Sequence, residues 1–498
     1  MVLFLIGHTY RDAVEQLMLM LFPEERPTYP ARPSGALRAR VTLREGAQWL
    51  TAETAITAPD GRSFRGVSRV RLADLGSGLQ AERLRQRAVK QSFYRAAVRF
   101  HGAKPVWGAL SGIRPALLMR RLMDEGPDSD AHALRRFIAL YDVSPERAAL
   151  TLDAARAARE AQRTLAPEDV MLYVGVPFCP TRCAYCSFVS QTEGSAGKLL
   201  APYFDCLLRE IETVGRGMKE AGLRPRTLYV GGGTPTTLSA AQLKTLMEAV
   251  NTHFDRSRLI EYTVEAGRPD TVDPEKLRVI RDLGAGRVSI NPQTMNDAVL
   301  RAVGRPHTAA DVERAYAQAA AAGFRSVNMD LIAGLPGDDP ESFARSLDRV
   351  LALDPSNVTV HTLALKKGAE LFSRREGLPS QAEVETMVDR ANAVLSGRGY
   401  TPYYLYRQKY MSGSLENVGW CRDGDLCLYN IYMMEELSSI LALGGGAVSK
   451  RNLPENRLER QCNPKYPKQY VERIEEVLAA KKALLEQLTR DAKKGIIN

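Results

Sequence analysis

The sequence lacks several features that would indicate particular classes of protein. It has no apolar run long enough to cross a membrane, and no block of five or six like charges of the kind that forms a nucleic-acid-binding tail. The apolar start Met1–Ile6 has neither a basic leader region nor a cleavage site, so it is not a signal peptide. We therefore predict a cytoplasmic protein with no membrane span and no nucleic-acid partner.

The cysteines do not form a disulfide pattern. There are 7 of them, an odd number, and three fall within a stretch of only eight residues. This distribution is typical of an intracellular protein whose thiolates bind metal. The formal net charge of +10 favours anionic partners, although a mildly basic solvated surface accounts for most of these charges.

The length of 498 residues predicts several domains, and residues 1–165 form an N-terminal accessory α+β domain in this interpretation. Apolar periodicity predicts its strands at Val2–Ile6, Leu37–Leu43 and Val67–Leu72. It predicts its helices at Arg11–Leu21, Gln80–Phe100 and Pro145–Arg163.

From Met171 onward, short apolar strands alternate with segments of helical length. The predicted strands are Met171–Val176, Thr227–Val230, Glu261–Glu265, Arg287–Ile290, Ser326–Ile332 and Asn357–Leu363. The predicted helices are Pro202–Ala221, Ala240–Phe254, Pro274–Leu283, Ala309–Ala322, Pro340–Leu353 and Gln381–Ser396. This alternation predicts an α/β fold, a partial (β/α)6 barrel over 166–400, with functional residues at the carboxyl ends of the strands. Residues 401–498 form a mixed C-terminal, substrate-side region with a helix over Tyr470–Lys494.

The first barrel strand leads into Cys179, Cys183 and Cys186, spaced C-x3-C-x2-C. Three thiolates on one loop suit three irons of a 4Fe–4S cluster, whose fourth iron stays open to a ligand. A structural zinc site is the alternative, but zinc needs a fourth ligand. Cys421 and Cys427 lie far along the chain, so they do not provide a second close pair.

The string from Pro177 to Phe188 resembles the signature of the radical S-adenosylmethionine (SAM) superfamily, and within it the oxygen-independent coproporphyrinogen III oxidases. The resemblance implies two cofactors, a 4Fe–4S cluster and SAM. SAM would chelate the open iron, and one electron would cleave it to a 5′-deoxyadenosyl radical. The resemblance also implies cofactor contacts from Tyr173 and from Tyr185, the aromatic residue before the last cysteine.

Further family strings follow at the ends of later strands. Gly231-Gly232-Gly233-Thr234-Pro235 is by itself consistent with a simple strand–helix turn, but in this family the string contacts the methionine part of SAM. By the same resemblance, the expected SAM contacts are Gly232, Gly233, Thr234, Glu265, Gln293, Arg305, Asp330 and Ala364.

Two residues depart from the family pattern. Gly175 stands where the oxidases have a histidine, and Phe188 stands where they have a further cysteine. The oxidase substrate is a tetracarboxylate, so a basic cleft is expected. Residues in the string Tyr406-Arg407-Gln408-Lys409 are candidates for carboxylate binding, with a solvated turn as the alternative.

Across the whole chain, the strings Trp107–Pro115, Tyr406–Lys409 and Leu443–Ala447 resemble the coproporphyrinogen dehydrogenase subgroup of HemZ type. The function that the resemblance implies is oxidative decarboxylation of coproporphyrinogen III to protoporphyrinogen IX. Its partners would be an anionic tetrapyrrole substrate and an electron donor such as flavodoxin or ferredoxin. The alternatives are a haem-binding chaperone of the same family and a radical SAM enzyme that acts on another tetrapyrrole.

Overall fold

The computed structural model describes residues 1–29, 37–125, 130–188, 191–192, 197–374, 376–408, 412–454 and 457–494. The chain forms two compact units, Met1–Leu152 and Asp153–Asn498. The division falls inside one helix, Pro145–Arg163. The finer division at residues 165 and 400 stays a prediction.

The first unit is built on a four-stranded sheet in the order β1-β2-β3-β4, in which only β1 and β2 are parallel. The strands are β1 Val2–Ile6, β2 Arg38–Glu45, β3 Trp49–Thr57 and β4 Ser63–Arg71. The helices are α1 Arg11–Leu21, α2 Gly78–His101, α3 Pro115–Asp124 and α4 Asp130–Tyr141, followed by α5 Pro145–Arg163, which begins in this unit and ends in the second. The predicted strands and helices of this unit are confirmed, while β3, α3 and α4 were not predicted.

The second unit contains the predicted alternation of strands and helices. Its strands to residue 362 are β5 Asp169–Val176, β6 Phe178–Cys179, β7 Gln191–Thr192, β8 Arg224–Gly232, β9 Glu261–Glu265, β10 Arg287–Ser289, β11 Ser326–Ala333 and β12 Asn357–Thr362. Its helices to residue 397 are α6 Leu200–Ala221, α7 Ala240–His253, α8 Pro274–Asp282, α9 Asp297–Ala302, α10 Ala309–Ala321, α11 Pro340–Ala352 and α12 Gln381–Gly397.

The remaining elements come from the C-terminal residues. They are β13 Thr401–Arg407, β14 Glu416–Cys421, α13 Leu428–Glu435, β15 Ile440–Leu443, β16 Val448–Leu453, β17 Arg457–Cys462, α14 Pro467–Glu472 and α15 Ile474–Lys493. The helix predicted from Tyr470 to Lys494 is therefore two helices, divided at Arg473. In the described residues, no helix combines the length and apolar character needed to cross a membrane.

All of these strands except β6 and β7 form one sheet in the order β13-β14-β12-β11-β10-β9-β8-β5-β15-β16-β17, while β6 and β7 pair with each other. The six predicted barrel strands are adjacent and parallel, so the predicted (β/α)6 fold is confirmed. The C-terminal residues extend the sheet at both ends, and β15 is a further parallel strand that pairs with β5. Carboxyl ends of parallel strands lie at one edge, where such folds place their active sites.

A fully buried polar network holds the glycine-rich segment that follows β15. The carboxylate of Glu210 accepts hydrogen bonds from Gly444 N at 2.8 Å, Asn463 Nδ2 at 2.9 Å and Tyr470 Oη at 2.6 Å. The Lys481 ammonium lies 3.7 Å from the same carboxylate, and neither charged side chain is exposed. The network therefore joins α6 and α15 to the strand that flanks β5.

Candidate active site

The glycine string after β8 packs directly on the cysteine loop. Gly233 N donates to Val176 O at 2.8 Å, and Thr234 N donates to Phe178 O at 2.7 Å. A Cβ on Gly233 would lie only 2.5 Å from that Phe178 oxygen, so the close approach requires glycine. The Thr234 hydroxyl also reaches Cys179 Sγ at 3.5 Å.

The three predicted ligand cysteines are unpaired by disulfides and partly buried. Cys186 N donates to Cys183 O at 3.0 Å, and Ala184 N ties the loop to Val303 O at 3.0 Å. Burial raises the pKa of the Cys186 thiol. Within the described residues, no three His, Cys, Asp or Glu side chains close around a single metal ion. Three thiols spread along one loop suit three irons of an iron–sulfur cluster.

An arginine lies against the second cysteine. Nη1 of Arg268 is 3.8 Å from Cys183 Sγ, and its side chain forms a two-point ion pair with Asp270 at 3.0 and 2.9 Å. Sequence reasoning missed this contact. Arg268 lies only three residues after Glu265, in the loop that follows β9.

Glu265 ends β9 beside the glycine string. Its carboxylate accepts from Tyr229 Oη at 2.6 Å and from Gly232 N at 3.3 Å. Burial raises the pKa of Glu265 to about 7, although the Tyr229 hydrogen bond acts in the opposite direction. Gly232 has a φ of +118°, a backbone conformation that glycine adopts easily.

A stack of tyrosine rings lies next to this carboxylate. The Tyr173 and Tyr229 ring centroids are 6.3 Å apart, and those of Tyr229 and Tyr429 are 4.6 Å apart. Tyr173 was predicted as a cofactor contact, whereas Tyr229 and Tyr429 were not. Tyr429 reaches the barrel from α13, so only the folded chain reveals its place.

Arg305 links the loop that follows β5 to the loops that follow β9 and β10. Its Nη1 donates to Tyr185 Oη at 3.0 Å, and its Nη2 donates to Gly267 O at 2.6 Å and Asn291 O at 3.0 Å. The side chain is 2% exposed, and its Nε has no hydrogen-bond partner among the described residues. A buried donor of this kind is suited to an acceptor from a bound ligand.

Gln293 and Asp330 are joined through the backbone. Gln293 N donates to Asp330 O at 2.8 Å, and Gln293 has a φ of +68°, a strained conformation that clusters at functional sites. Burial pushes the pKa of Asp330 upward, but His361, 3.7 Å away, and the Asn328 amide outweigh it and lower the pKa overall. Ala364, partly buried, lies just beyond β12 at the same edge of the sheet.

The two departures from the family pattern have different surroundings. A Cβ on Gly175 would meet Leu443 O at 3.2 Å and Tyr173 Cε1 at 3.3 Å, so β15 and a tyrosine ring occupy the space a side chain would enter. Phe188 is 68% exposed. A larger residue at position 175 therefore requires β15 or the Tyr173 ring to move by a few tenths of an ångström.

The candidate carboxylate-binding string is only partly described. Arg407 is buried, and its Nε and Nη2 donate to Ser414 O at 3.0 and 2.6 Å. Burial lowers the pKa of Arg407 to about 10. Its guanidinium is already engaged inside the fold, and Lys409 lies outside the described residues.

Comparison with known proteins places this site in a family. Residues 173–350 match the family model of the radical SAM superfamily. The oxygen-independent coproporphyrinogen-III oxidase-like protein HemZ from Bacillus subtilis is 38% identical over 396 residues, 78% of each chain. The chain belongs to the radical SAM family of coproporphyrinogen oxidase-like proteins. As a radical SAM protein it uses a 4Fe–4S cluster and SAM.

Other radical SAM relatives differ in their named activity. The haem chaperone HemW from Mycobacterium tuberculosis is 32% identical over 52% of this chain and 64% of its own length. The structure of coproporphyrinogen III oxidase HemN from Escherichia coli superposes with a TM-score of 0.51 and 27% identity, over 65% of this chain and 73% of that one. The family is thus shared by oxidases and chaperones.

Proposed function

We propose that this radical SAM protein converts coproporphyrinogen III to protoporphyrinogen IX by oxidative decarboxylation of two propionates. The observation that carries the chemistry is the meeting of the cysteine loop, the glycine string, Glu265 and Arg305 at one edge of the parallel sheet. Asp330, on β11, is close enough to act on the charge of Glu265. The relationship to HemZ over 78% of both chains supports the choice of substrate.

In this proposal, Cys179, Cys183 and Cys186 ligate the cluster. SAM is surrounded by Tyr173, Tyr185, Gly232, Gly233, Thr234, Glu265, Gln293, Arg305, Asp330 and Ala364. When bound and reduced by one electron, for which flavodoxin or ferredoxin are candidate donors, the cluster and SAM supply a 5′-deoxyadenosyl radical.

The charges of the chain fit the groups of SAM. Asp330 has a lowered pKa and is ionised at neutral pH, so it can bind a cationic group. Glu265 gains its charge near neutrality, and a neighbouring cation would favour the ionised form. The buried Nε of Arg305 can donate to a ligand oxygen while its other nitrogens hold Tyr185 and the backbone.

The proposed reaction removes one hydrogen atom from the β-carbon of a propionate. Carbon dioxide then leaves from the adjacent carboxylate, one electron passes to an acceptor, and a vinyl group remains. The tyrosine rings at 173, 229 and 429 offer an aromatic wall for an apolar macrocycle. Such a wall also keeps water away from a reactive carbon radical.

The test is anaerobic incubation of the cluster-reconstituted protein with SAM, a reductant and coproporphyrinogen III, followed by mass analysis. We expect protoporphyrinogen and 5′-deoxyadenosine together, with a tricarboxylate intermediate at early times. Cleavage of SAM without decarboxylation would contradict the proposed substrate and leave the radical chemistry standing. Tight haem binding without SAM turnover would instead favour the chaperone activity named for the HemW relatives.

A matched pair of cysteine variants tests the ligands. Cys183→Ala should abolish the SAM-responsive spectrum of the cluster, while Cys462→Ala, an exposed cysteine on β17, should leave it intact. A full spectrum in Cys183→Ala would remove that residue from the ligand set.

A further inference from the structure

Arg268 has a close contact with the cysteine loop that the proposed reaction does not use. Its side chain is 4% exposed. Nη1 lies 3.8 Å from Cys183 Sγ and 3.3 Å from Thr181 O, and Nη2 donates to Thr181 Oγ1 at 3.1 Å. The guanidinium therefore binds the segment of the loop between Cys179 and Cys183.

This arginine is held in one orientation from its other side. Asp270 accepts from Nε at 3.0 Å and from Nη2 at 2.9 Å, and His307 Nδ1 lies 3.5 Å from the same carboxylate. Thr271 donates to Arg268 O from its backbone at 2.9 Å and its hydroxyl at 2.8 Å. Because the planar guanidinium of Arg268 is already held on two sides, it loses little conformational entropy when its remaining N–H points at the Cys183 sulfur.

We propose that Arg268 is a positioning residue that fixes the Cys183 thiolate and raises the reduction potential of the cluster, with Asp270 as its counter-charge. The inference rests on the proposed ligand role of Cys183. The reduced cluster carries one more negative charge than the oxidised one. A hydrogen bond and a buried positive charge next to a ligand sulfur stabilise the reduced form more, and the potential rises.

The two partners should act in opposite directions. Removing the charge in Arg268→Gln should lower the potential. Removing the counter-charge in Asp270→Asn should raise it, because the arginine then acts on the sulfur without an adjacent carboxylate. General damage to the loop cannot produce shifts of opposite sign.

The experiment is a redox titration of the reconstituted full-length protein, followed by electron paramagnetic resonance, without SAM or porphyrinogen. Arg268→Gln should reduce the equilibrium constant for one-electron reduction by about tenfold, which corresponds to ~59 mV. Asp270→Asn should shift it the other way. Arg278→Gln, an exposed arginine on the following helix, is the matched control and should not shift it.

An unchanged potential in Arg268→Gln at full iron content overturns the proposal, as do shifts of the same sign in both variants. If Arg268→Gln takes up no iron, the proposal is tested with Asp270→Asn and with the charge-preserving Arg268→Lys. An Asp270→Asn cluster with the same reduction potential as the wild type then refutes the proposal, and one with a raised potential supports it. Because no porphyrinogen is present, the result is independent of the proposed substrate, and the Cys183→Ala spectrum separately tests the ligand.

Discussion

The buried pair Glu210–Lys481 gives the sharpest test of how the glycine-rich segment is held. Glu210→Gln removes the carboxylate charge and leaves the Lys481 ammonium buried at 0% exposure. Breaking such a pair from one side costs about 3–5 kcal/mol. Since about 1.4 kcal/mol is a factor of ten, local opening should become roughly 140- to 3,700-fold more frequent.

Hydrogen–deuterium exchange of the peptide that contains Gly444 measures this change, because its N–H donates to Glu210. The double variant Glu210→Gln/Lys481→Met removes both charges. Hydrogen exchange at Gly444 in this double variant should be clearly slower than the summed effects of Glu210→Gln and Lys481→Met predict, because no uncompensated charge remains. Additive effects, or less than about tenfold faster exchange in Glu210→Gln, would refute the ion-pair reasoning.

The same variant should respond to pH. Burial lowers the pKa of Lys481 in the native protein, and Glu210 opposes that shift. Without the carboxylate, the pKa of Lys481 in the folded protein falls further below its pKa in the unfolded chain. At pH values between these two, the unfolded chain therefore binds more protons than the folded one. Stability of Glu210→Gln should therefore rise with pH across that window, by up to about 1.4 kcal/mol per unit.

Three further predictions concern the site and the glycine-rich segment. Burial raises the pKa of Glu265 to about 7, so SAM affinity measured by anaerobic calorimetry should increase with pH by up to about tenfold per unit below 7, and Glu265→Gln should flatten this slope. Gly444→Ala, at φ +95° with a carbonyl oxygen 2.5 Å from the new Cβ, should cost about 2–5 kcal/mol, whereas Gly286→Ala, with nothing within 4 Å, should leave the unfolding midpoint within about 1 kcal/mol of wild type. Arg305→Lys should weaken SAM binding about tenfold, because the planar guanidinium that donates to Tyr185 is lost. The control Arg301→Lys, at an exposed position on α9, should not change SAM affinity. An Arg305→Lys variant that binds SAM as tightly as the wild type would contradict the role of Arg305.

The barrel could be predicted because its signal is local. β9 was predicted with its observed bounds, Glu261–Glu265, since the strand-forming residues Tyr262, Thr263 and Val264 stand together between turn and helix signals. The strings in and after such strands that resemble the radical SAM family then indicated Glu265, Gln293 and Asp330 as expected SAM contacts, without any knowledge of packing.

The missed elements depend on distant partners. β17 carries mostly exposed polar residues, Arg457–Cys462, so it lacks the alternation that identifies a strand. β15 has only four residues and is defined by pairing with β5. Likewise, the contacts of Arg268 with Cys183 and of Tyr429 with Tyr229 join segments far apart in the sequence, where residue spacing carries no information.

The pairing of β15 with β5 has a consequence for synthesis of the chain. Ile440 pairs with Met171, and at about 5–20 residues per second the ribosome needs roughly 15–50 s to reach the later strand after the earlier one. During that interval the edge of β5 that leads into the cysteine loop has no neighbour on its outer side. An unpaired parallel edge is a template for wrong partners. The nascent protein is therefore most open to misassembly before its last strands emerge.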